Sequence, residues 1–243
     1  KGKGRKKAAP DPEADEGATD ERAAAADAEF LNSLGERLLE PDALLGTWAP
    51  LVVAVCKNAN GSFGQHQQLR SSAALTLCKL MCVSASFCDE QLQLLFTVMR
   101  DEPDDSIRAN ITIALGDLTV KHPNLLEPWS ASLYSQLRDS NPRVRKNMLM
   151  VLTHLILNDM VRVKGQVSYL ALCLLDEDER IVCLTKLFFT EFAKKGSKRA
   201  QEIYNLLPDI VSSLSINDNL SADGFREILG FLIAFIEVSD HTE

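Results

Sequence analysis

The stretch "IRANITIALGDL" at residues 107–118 recurs twice along the chain, at a constant interval of 37 residues. It returns as "VRKNMLMVLTHL" from Val144 and as "IVCLTKLFFTEF" from Ile181. The apolar residues that coincide across the three copies are Leu115, Leu152 and Phe189, then Leu118, Leu155 and Phe192. Related stretches begin 38 residues before the first copy, at Leu69, and 44 residues after the last, at Phe225. Self-similarity at such a period predicts a repeat architecture.

A second apolar segment precedes each of these stretches. The five segments are "PLVVAVC", "EQLQLLFTVM", "PWSASLYSQL", "VSYLALCLL" and "LLPDIVSSL". Their apolar spacing is helical, and no convincing alternating strand pattern occurs in the sequence. We therefore expect an all-α chain in which a first helix, a tight turn and a second helix are repeated about five times and stack into a solenoid.

Charged residues recur with the same period. Acids fall in the turn before the second helix at Glu102, Asp139 and Asp176. Acids here favour the helix N-terminus, where free N–H groups carry partial positive charge. An arginine follows the first apolar residue of the second helix at Arg70, Arg108, Arg145 and Arg226, whereas Val182 stands at this position in the fourth unit. Stacking predicts a ladder of ion pairs between these acids and arginines.

The first 28 residues differ from the rest. A basic run, "KGKGRKK", is followed by the acidic, alanine-rich "PDPEADEGATDERAAAADAE". Almost nothing there can be buried, so residues 1–28 are expected to be a disordered tail or linker, and residues 29–243 the solenoid. The basic run is compatible with a nuclear localisation signal or with a plain solvated linker, and the chain, which starts without Met, is expected to be a fragment.

The composition limits the classes of protein to which the chain can belong. The chain of 243 residues is 46% hydrophobic and carries a net charge of −8. No apolar run is long enough to span a bilayer. The six cysteines are Cys56, Cys78, Cys82, Cys88, Cys173 and Cys183. They form no C-x-x-C pair and have no histidine at ligand spacing, so we expect reduced thiols, no bound metal, and a nuclear or cytoplasmic location.

Enzymatic activity is not expected. The four histidines, His66, His122, His154 and His241, lack an acid and a nucleophile at recognisable spacing. The sequence contains no phosphate-binding glycine motif and no H-E-x-x-H. "KKGSKR" places a glycine among lysines, but no strand precedes it. No cofactor and no small-molecule substrate are therefore predicted.

Connectors between successive repeats should emerge along one edge of a solenoid, and turns within repeats along the other. The connectors are rich in cations, namely Lys121, Arg162, Lys164, Lys194, Lys195, Lys198 and Arg199. The turns are mainly acidic. A basic edge is compatible with sequence-independent contact with a phosphate backbone, with an acidic protein surface, or simply with solvated loops.

The repeat of about 37 residues, with a turn acid and a Val/Ile-Arg opening the second helix, resembles the HEAT repeat. The segments "NLLEPW", "MVRVKGQV" and "IYNLLPDI" narrow the resemblance to the HEAT-rich D-type subunits of condensin, over roughly residues 48–215. "VRVKGQ" is closer to the condensin I form than to its condensin II paralogue.

This resemblance implies a non-catalytic scaffold in a complex that condenses mitotic chromosomes. It implies binding to the kleisin chain, contact with double-stranded DNA and contact with an SMC ATPase head, in the nucleus and on chromosomes. By resemblance, the loop with Arg162, Lys164 and Gly165 docks the SMC head; from spacing alone, it is a plain connector. A HEAT adaptor of another pathway and a direct DNA-binding module remain alternatives.

Overall fold

The structure is a computed structural model that describes residues 12–59, 61–161, 166–194, 197–217 and 220–239. For the helical residues 12–21, 197–204 and 235–239, the backbone alone is described. Within these ranges the chain is helical and contains no β-strand. The predicted all-α class is confirmed.

The helices follow one another as pairs after a long N-terminal helix, α1, Pro12–Leu38. The pairs are α2 (Leu44–Lys57) with α3 (Gln67–Val83), α4 (Ala85–Asp101) with α5 (Asp105–Lys121), a broken first helix over 123–138 with α8 (Pro142–Leu157), α9 (Val167–Leu172) extended by η3 (Cys173–Leu175) with α10 (Glu179–Lys194), and α11 (Ser197–Ser215) with α12 (Ala222–Ser239). Each pair corresponds to one predicted repeat.

The second helices of the repeats form the spine of the molecule. Helix α3 packs against α5, α5 against α8, and α8 against α10, whereas the first helices of these four repeats touch each other much less. At the last repeat the order reverses, and α11 packs against α9 more than α12 packs against α10. Ile107, Val144 and Ile181, which open three of these helices, are all buried in equivalent positions. Each repeat therefore covers the apolar face that its neighbour cannot bury alone, as a HEAT-type solenoid requires.

Helices α5 and α8 approach each other closely at Gly116. A Cβ atom added to this glycine would lie 2.8 Å from Cγ1 of Val151, closer than normal carbon contacts allow. The absent side chain lets the two helices pack directly.

The first helix of the third repeat is broken. It runs as α6 (Pro123–Leu126), the 3₁₀ turn η1 (Glu127–Trp129), α7 (Ser130–Ser135) and the 3₁₀ turn η2 (Gln136–Arg138). Pro128 lies in η1 and has no backbone N–H to donate to the helical ladder. In compensation, the ring of Trp129 stacks on Phe96 of the preceding repeat at 4.5 Å between centroids.

Helix α1 lies outside the pairs. It includes residues 12–28, which were expected to be a disordered tail; the structure has a helix there, in keeping with the helix propensity of the alanine-rich segment. Its side chains from 22 to 34 are nevertheless exposed, including those of Phe30 and Leu31. The basic run at 1–7 lies outside the described residues.

Helix α8 stops at the residues that the sequence indicated. Asp159 has a φ of 60°, in the left-handed region. Its N–H donates to the carbonyl of Ile156 at 3.2 Å, and the N–H of Met160 donates to that of Leu155 at 2.9 Å. This Schellman arrangement satisfies the last carbonyls of the helix and turns the chain into the connector.

The cysteines are free thiols, most of them in the apolar interior. Burial raises the pKa of Cys78 and of Cys88 to about 12, so both stay protonated at neutral pH. Cys183 is the exception, because it is exposed on α10. None of the described helices is both long enough and apolar enough to cross a membrane.

Candidate functional site: the turn edge and the connector edge

The turns within repeats, which we call the turn edge (residues 102–104, 139–141 and 176–178), share one local structure. The first residue is the ladder acid, and the third, Asp104, Asn141 or Asp178, caps the next helix. Its side chain accepts a hydrogen bond from the N–H two residues on, at 2.9, 2.8 and 2.9 Å respectively. These caps satisfy an otherwise unpaired N–H at each helix start.

The central rung of the ladder joins Arg108 to Asp139. Nε and Nη2 of Arg108 donate to the two carboxylate oxygens of Asp139, both at 2.9 Å. Nη1 of Arg108 donates to the carbonyl oxygen of Glu102 at 2.8 Å. One arginine thus holds the turn of its own repeat and the turn of the next, with only 12% of its side chain and 9% of that of Asp139 exposed.

The third rung repeats this geometry, and the first does not. Arg145 binds both carboxylate oxygens of Asp176 at 2.8 Å and donates to the carbonyl of Asp139 at 2.9 Å. Arg70 binds Glu102 through Nη1 alone, at 2.6 Å, and its buried Nε has no partner among the described residues. The bidentate geometry therefore accompanies aspartate, and glutamate makes a single contact.

In this ladder, burial and hydrogen bonding shift the pKa of the charged side chains in opposite directions. Burial alone raises the pKa of Asp139, but hydrogen bonds from Arg108 and from the Asn141 N–H outweigh it, so the pKa lies below its ordinary value. The hydrogen bond to Asp139 raises the pKa of Arg108 above its ordinary value. Both partners are therefore charged across the physiological pH range.

Among the described residues the ladder ends at Asp176. Arg226 pairs with Asp223 of its own helix at 2.9 Å, and both side chains are exposed. The acid that would pair with Arg226 in the ladder belongs to a turn after α12, outside the described residues, so its place in the ladder stays a prediction. In the fourth repeat Val182 interrupts the ladder, as the sequence indicated.

The connectors between repeats and the helix ends beside them, which we call the connector edge (residues 84, 121–122, 158–166 and 194–199), contain the basic residues that the sequence indicated. Lys121 is exposed, with Nζ 3.5 Å from Oδ1 of Asn32. Lys194 is exposed and pairs with Glu191 at 3.0 Å. Arg162, Lys164, Gly165 and Lys195 lie outside the described residues, as do the side chains of Lys198 and Arg199, whose backbone belongs to α11.

Successive connectors lie side by side where the structure describes them. Nε2 of His122 is 3.1 Å from the carbonyl oxygen of Met81, near the end of the preceding second helix. One cavity is lined both by Thr119 and Pro123 and by Met160 and Gln166, on either side of two neighbouring connectors. The expected common edge is therefore present over these repeats.

This cavity has a volume of about 340 Å³ and is mostly apolar. Tyr134, whose side chain is 2% exposed, lines it. The Tyr134 hydroxyl has no hydrogen-bond partner among the described residues, and burial raises its pKa to about 12. The cavity thus has mainly apolar walls with a few polar side chains, among them the enclosed hydroxyl of Tyr134, and it lies beside the segment that the sequence indicated as a docking loop.

Sequence reasoning missed a contact of α1. The Glu36 carboxylate accepts hydrogen bonds from Ser84 Oγ at 2.5 Å, from the Ala85 N–H at 2.7 Å and from both the N–H and the hydroxyl of Ser86. Burial opposes this, yet the hydrogen bonds keep the pKa of Glu36 below its ordinary value. The repeat pattern contains no signal for this contact, because α1 is not a repeat element.

Comparison with known proteins identifies the family. The sequence model for the non-SMC mitotic condensation complex subunit 1 matches residues 106–243. The chain is 48% identical over 200 residues to the condensin-1 complex subunit CAP-D2 of Arabidopsis thaliana, covering 82% of this chain and 14% of that protein. It is 41% identical to condensin complex subunit 1 of Homo sapiens, covering 89% and 15%. The chain belongs to the condensin subunit 1 family.

Other similarities are more distant. Condensin-2 complex subunit D3 of Mus musculus is 26% identical over 101 residues, 42% of this chain, so the expected closeness to the condensin I form is confirmed. A computationally designed armadillo repeat protein for modular peptide recognition is 16% identical, with a TM-score of 0.42, covering 77% of this chain and 81% of that one. The chain spans about one seventh of the length of the condensin relatives quoted above.

Proposed function

We propose that this chain is a non-catalytic HEAT-repeat segment of the condensin scaffold, which binds the kleisin chain, contacts an SMC ATPase head and supports contact with double-stranded DNA during mitotic chromosome condensation. Its place of action is the nucleus and the chromosome, with a cytoplasmic pool. The observation that carries the proposal is the family match over residues 106–243 on a chain that stacks as helix pairs.

The chemistry of the turn edge fits a scaffold better than an enzyme. Its carboxylates and guanidinium groups bond to one another and to backbone groups, as Arg108 does with Asp139 and the Glu102 carbonyl. A catalytic acid or base needs access to a substrate and a pKa near the working pH. The pKa of Asp139 is instead lowered, and its side chain is enclosed. No cofactor, small-molecule substrate or membrane contact belongs to the proposal.

Docking of the SMC head is assigned to the loop with Arg162, Lys164 and Gly165. The support from the described residues is the neighbouring cavity, where the Tyr134 hydroxyl lacks a partner. An apolar side chain from the head, with a hydrogen-bond acceptor beside it, would fill this space and satisfy the hydroxyl. The loop and the cavity would then act as one docking site.

DNA contact is assigned to the basic connector edge. The exposed Lys121 and Lys194 are its described members. A row of cations on one edge suits a phosphate backbone, which is recognised by charge without sequence specificity. The overall charge of −8 means that such binding depends on the local row of cations rather than on the whole chain.

Co-purification with kleisin and SMC chains tests the scaffold function. The full-length subunit carrying this segment should co-elute with both, and the double variant Lys164→Ala, Gly165→Pro should lose SMC-head engagement while it unfolds at an unchanged temperature. A subunit that fails to co-elute with kleisin would instead act elsewhere, for example as a HEAT adaptor of another pathway.

A second variant tests DNA contact in the intact complex. Replacing Lys164, Lys194, Lys195, Lys198 and Arg199 with Glu should weaken duplex binding and flatten its salt dependence, because fewer counterions are released. Unchanged duplex binding at low salt would exclude the basic edge as a DNA site. A salt-dependent gel shift by the segment without its partners would favour the direct DNA-binding alternative.

A further inference from the structure

An exposed apolar residue occupies the same position in four successive second helices. The residues are Leu75 on α3, Ile113 on α5, Met150 on α8 and Leu187 on α10, separated by 38, 37 and 37 residues. Their exposed fractions are 38%, 49%, 52% and 55%. We call this row the apolar stripe. Single exposed apolar residues are common on protein surfaces, but four at one repeat position form a row.

The stripe lies on the inner face of the solenoid. The four second helices that carry the stripe, α3, α5, α8 and α10, pack closely together, whereas the first helices of the same repeats touch each other little. A stack with this imbalance curves towards its second helices, so their free sides line the concave surface. Solenoid proteins use such concave surfaces to bind extended partners.

Polar residues flank the stripe on both sides. On one side, three residues before the two central stripe positions, lie Asn110 on α5 and Asn147 on α8; the equivalent residues on α3 and α10 are Ser72 and Leu184. Asn147 donates through Nδ2 to the carbonyl of Ala109 at 3.3 Å, and its Oδ1 accepts from none of the described residues. The amide of Asn110 has no hydrogen-bond partner in that part of the chain. Amides can both donate to and accept from a main chain.

On the other side, four residues after each stripe position, lies a row of polar residues without a common sign of charge. Lys79, Asp117, His154 and Glu191 follow one another from α3 to α10. Mixed charges beside apolar side chains do not make a track for phosphates, which need a row of cations. The stripe is therefore a surface for polypeptide rather than for nucleic acid.

We propose that the apolar stripe binds a segment of a partner polypeptide in the polyproline II conformation, an extended chain that here carries an apolar side chain at every third residue. Packed helices lie about 8–10 Å apart. A polyproline II chain rises about 3.1 Å per residue and turns once in three residues, so every third side chain lies on one face and advances by one repeat. The amides of Asn110 and Asn147 would bond to the partner's main chain between these side chains. This inference rests on the proposed scaffold function, in which the kleisin chain is the partner.

A helical partner fits less well. Residues seven apart on a helix rise about 10.5 Å and would match the repeat spacing as well. A helix satisfies its own main-chain groups, however, and would leave the two asparagine amides without main-chain partners. The two occupants differ in the spacing of the residues that meet the stripe, three for an extended chain and seven for a helix.

Site-specific photo-crosslinking distinguishes these occupants in the assembled complex. The full-length subunit carries p-benzoylphenylalanine at position 75, 113, 150 or 187, one at a time, and at the control positions Gln93 and Thr97, which are exposed on the first helix α4. We expect all four stripe positions to crosslink to one kleisin segment, at residues that advance by about three per repeat, one turn of a polyproline II chain. The controls should give no crosslink to that segment.

Other results would overturn the inference. Crosslinked residues that advance by about seven identify a helix, and crosslinks scattered over several chains or on DNA identify no single occupant. An absence of stripe crosslinks in a complex that still co-purifies contradicts the stripe but leaves the scaffold function standing. Loss of co-purification in the unmodified complex would contradict both.

Substitution gives a second readout. The double variant Ile113→Asp, Met150→Asp should bind kleisin about tenfold more weakly per substitution, since burying one large aliphatic side chain is equivalent to roughly one factor of ten. The double variant Gln93→Asp, Thr97→Asp should bind as the wild type does. Both should unfold at the wild-type temperature, because the four side chains are exposed. Unchanged kleisin affinity of the stripe variant would overturn the proposal.

Discussion

At the turn edge, the ladder acids Glu102, Asp139 and Asp176 each contact an arginine of the preceding repeat, and their side chains are almost fully enclosed. At the connector edge, the described cations Lys121 and Lys194 are exposed, and their polar contacts are to nearby surface side chains. Charged side chains thus hold neighbouring repeats together on one edge and are exposed to solvent on the other. Enclosure and hydrogen bonding, rather than charge itself, separate the two uses.

The largest loss of stability is expected when the central ion pair of the ladder, between Arg108 and Asp139, is removed. Asp139→Ala leaves the guanidinium of Arg108 enclosed without its carboxylate, which should lower the free energy of unfolding by about 3 kcal/mol. Urea unfolding followed by circular dichroism measures this. The matched control is Asp101→Ala, which removes an exposed partner of Arg100. If the two variants unfolded at the same urea concentration, enclosure would not distinguish the ladder from a surface pair.

Low pH should weaken the ion pairs of the turn edge. Because the pKa of Asp139 is lower in the folded chain than its ordinary value, its stabilising contribution is complete above about pH 4 and is lost as pH falls through the folded pKa. The urea midpoint of the wild type should therefore fall as the pH is lowered below about pH 4. Asp139→Asn should lose less over this range, and an equal loss would show that other acids cause it.

A smaller change, this time a gain in stability, is expected from a substitution beside the connector edge. Tyr134→Phe removes a buried hydroxyl that has no partner among the described residues, so the variant should gain about 1 kcal/mol of stability. The same change should weaken engagement of the SMC head, measured by co-elution with the isolated head. A variant that lost stability would indicate that the hydroxyl is already hydrogen bonded in the free chain.

The smallest effect on stability is expected at the exposed cations. The double variant Lys121→Glu, Lys194→Glu should change the free energy of unfolding by less than about 0.5 kcal/mol, as is usual for exposed surface substitutions. It should nevertheless weaken duplex binding by the assembled complex, measured by fluorescence anisotropy at low salt. A large loss of stability would place these lysines with the structural charges of the turn edge.

The sequence predicts most of the structural features that recur in each repeat and few of those that occur only once. The equivalence of Ile107, Val144 and Ile181 and the pairing of Arg108 with Asp139 follow from one period of 37 residues. The ladder role of Arg226 stays a prediction, because the turn that would follow α12 lies outside the described residues; within them Arg226 pairs with Asp223. Neither Glu36 nor Tyr134 could have been identified, since one contacts serines about 50 residues away and the other depends on a helix interrupted at Pro128.

The most direct test of the account is a double-mutant cycle across the boundary between the third and fourth repeats. Arg145→Ala, Asp176→Ala and the double variant are compared with the wild type by urea unfolding. The two side chains share two hydrogen bonds of 2.8 Å, so their coupling should be about 2 kcal/mol. A coupling below about 0.3 kcal/mol would contradict the claim that turn-edge charges hold neighbouring repeats together.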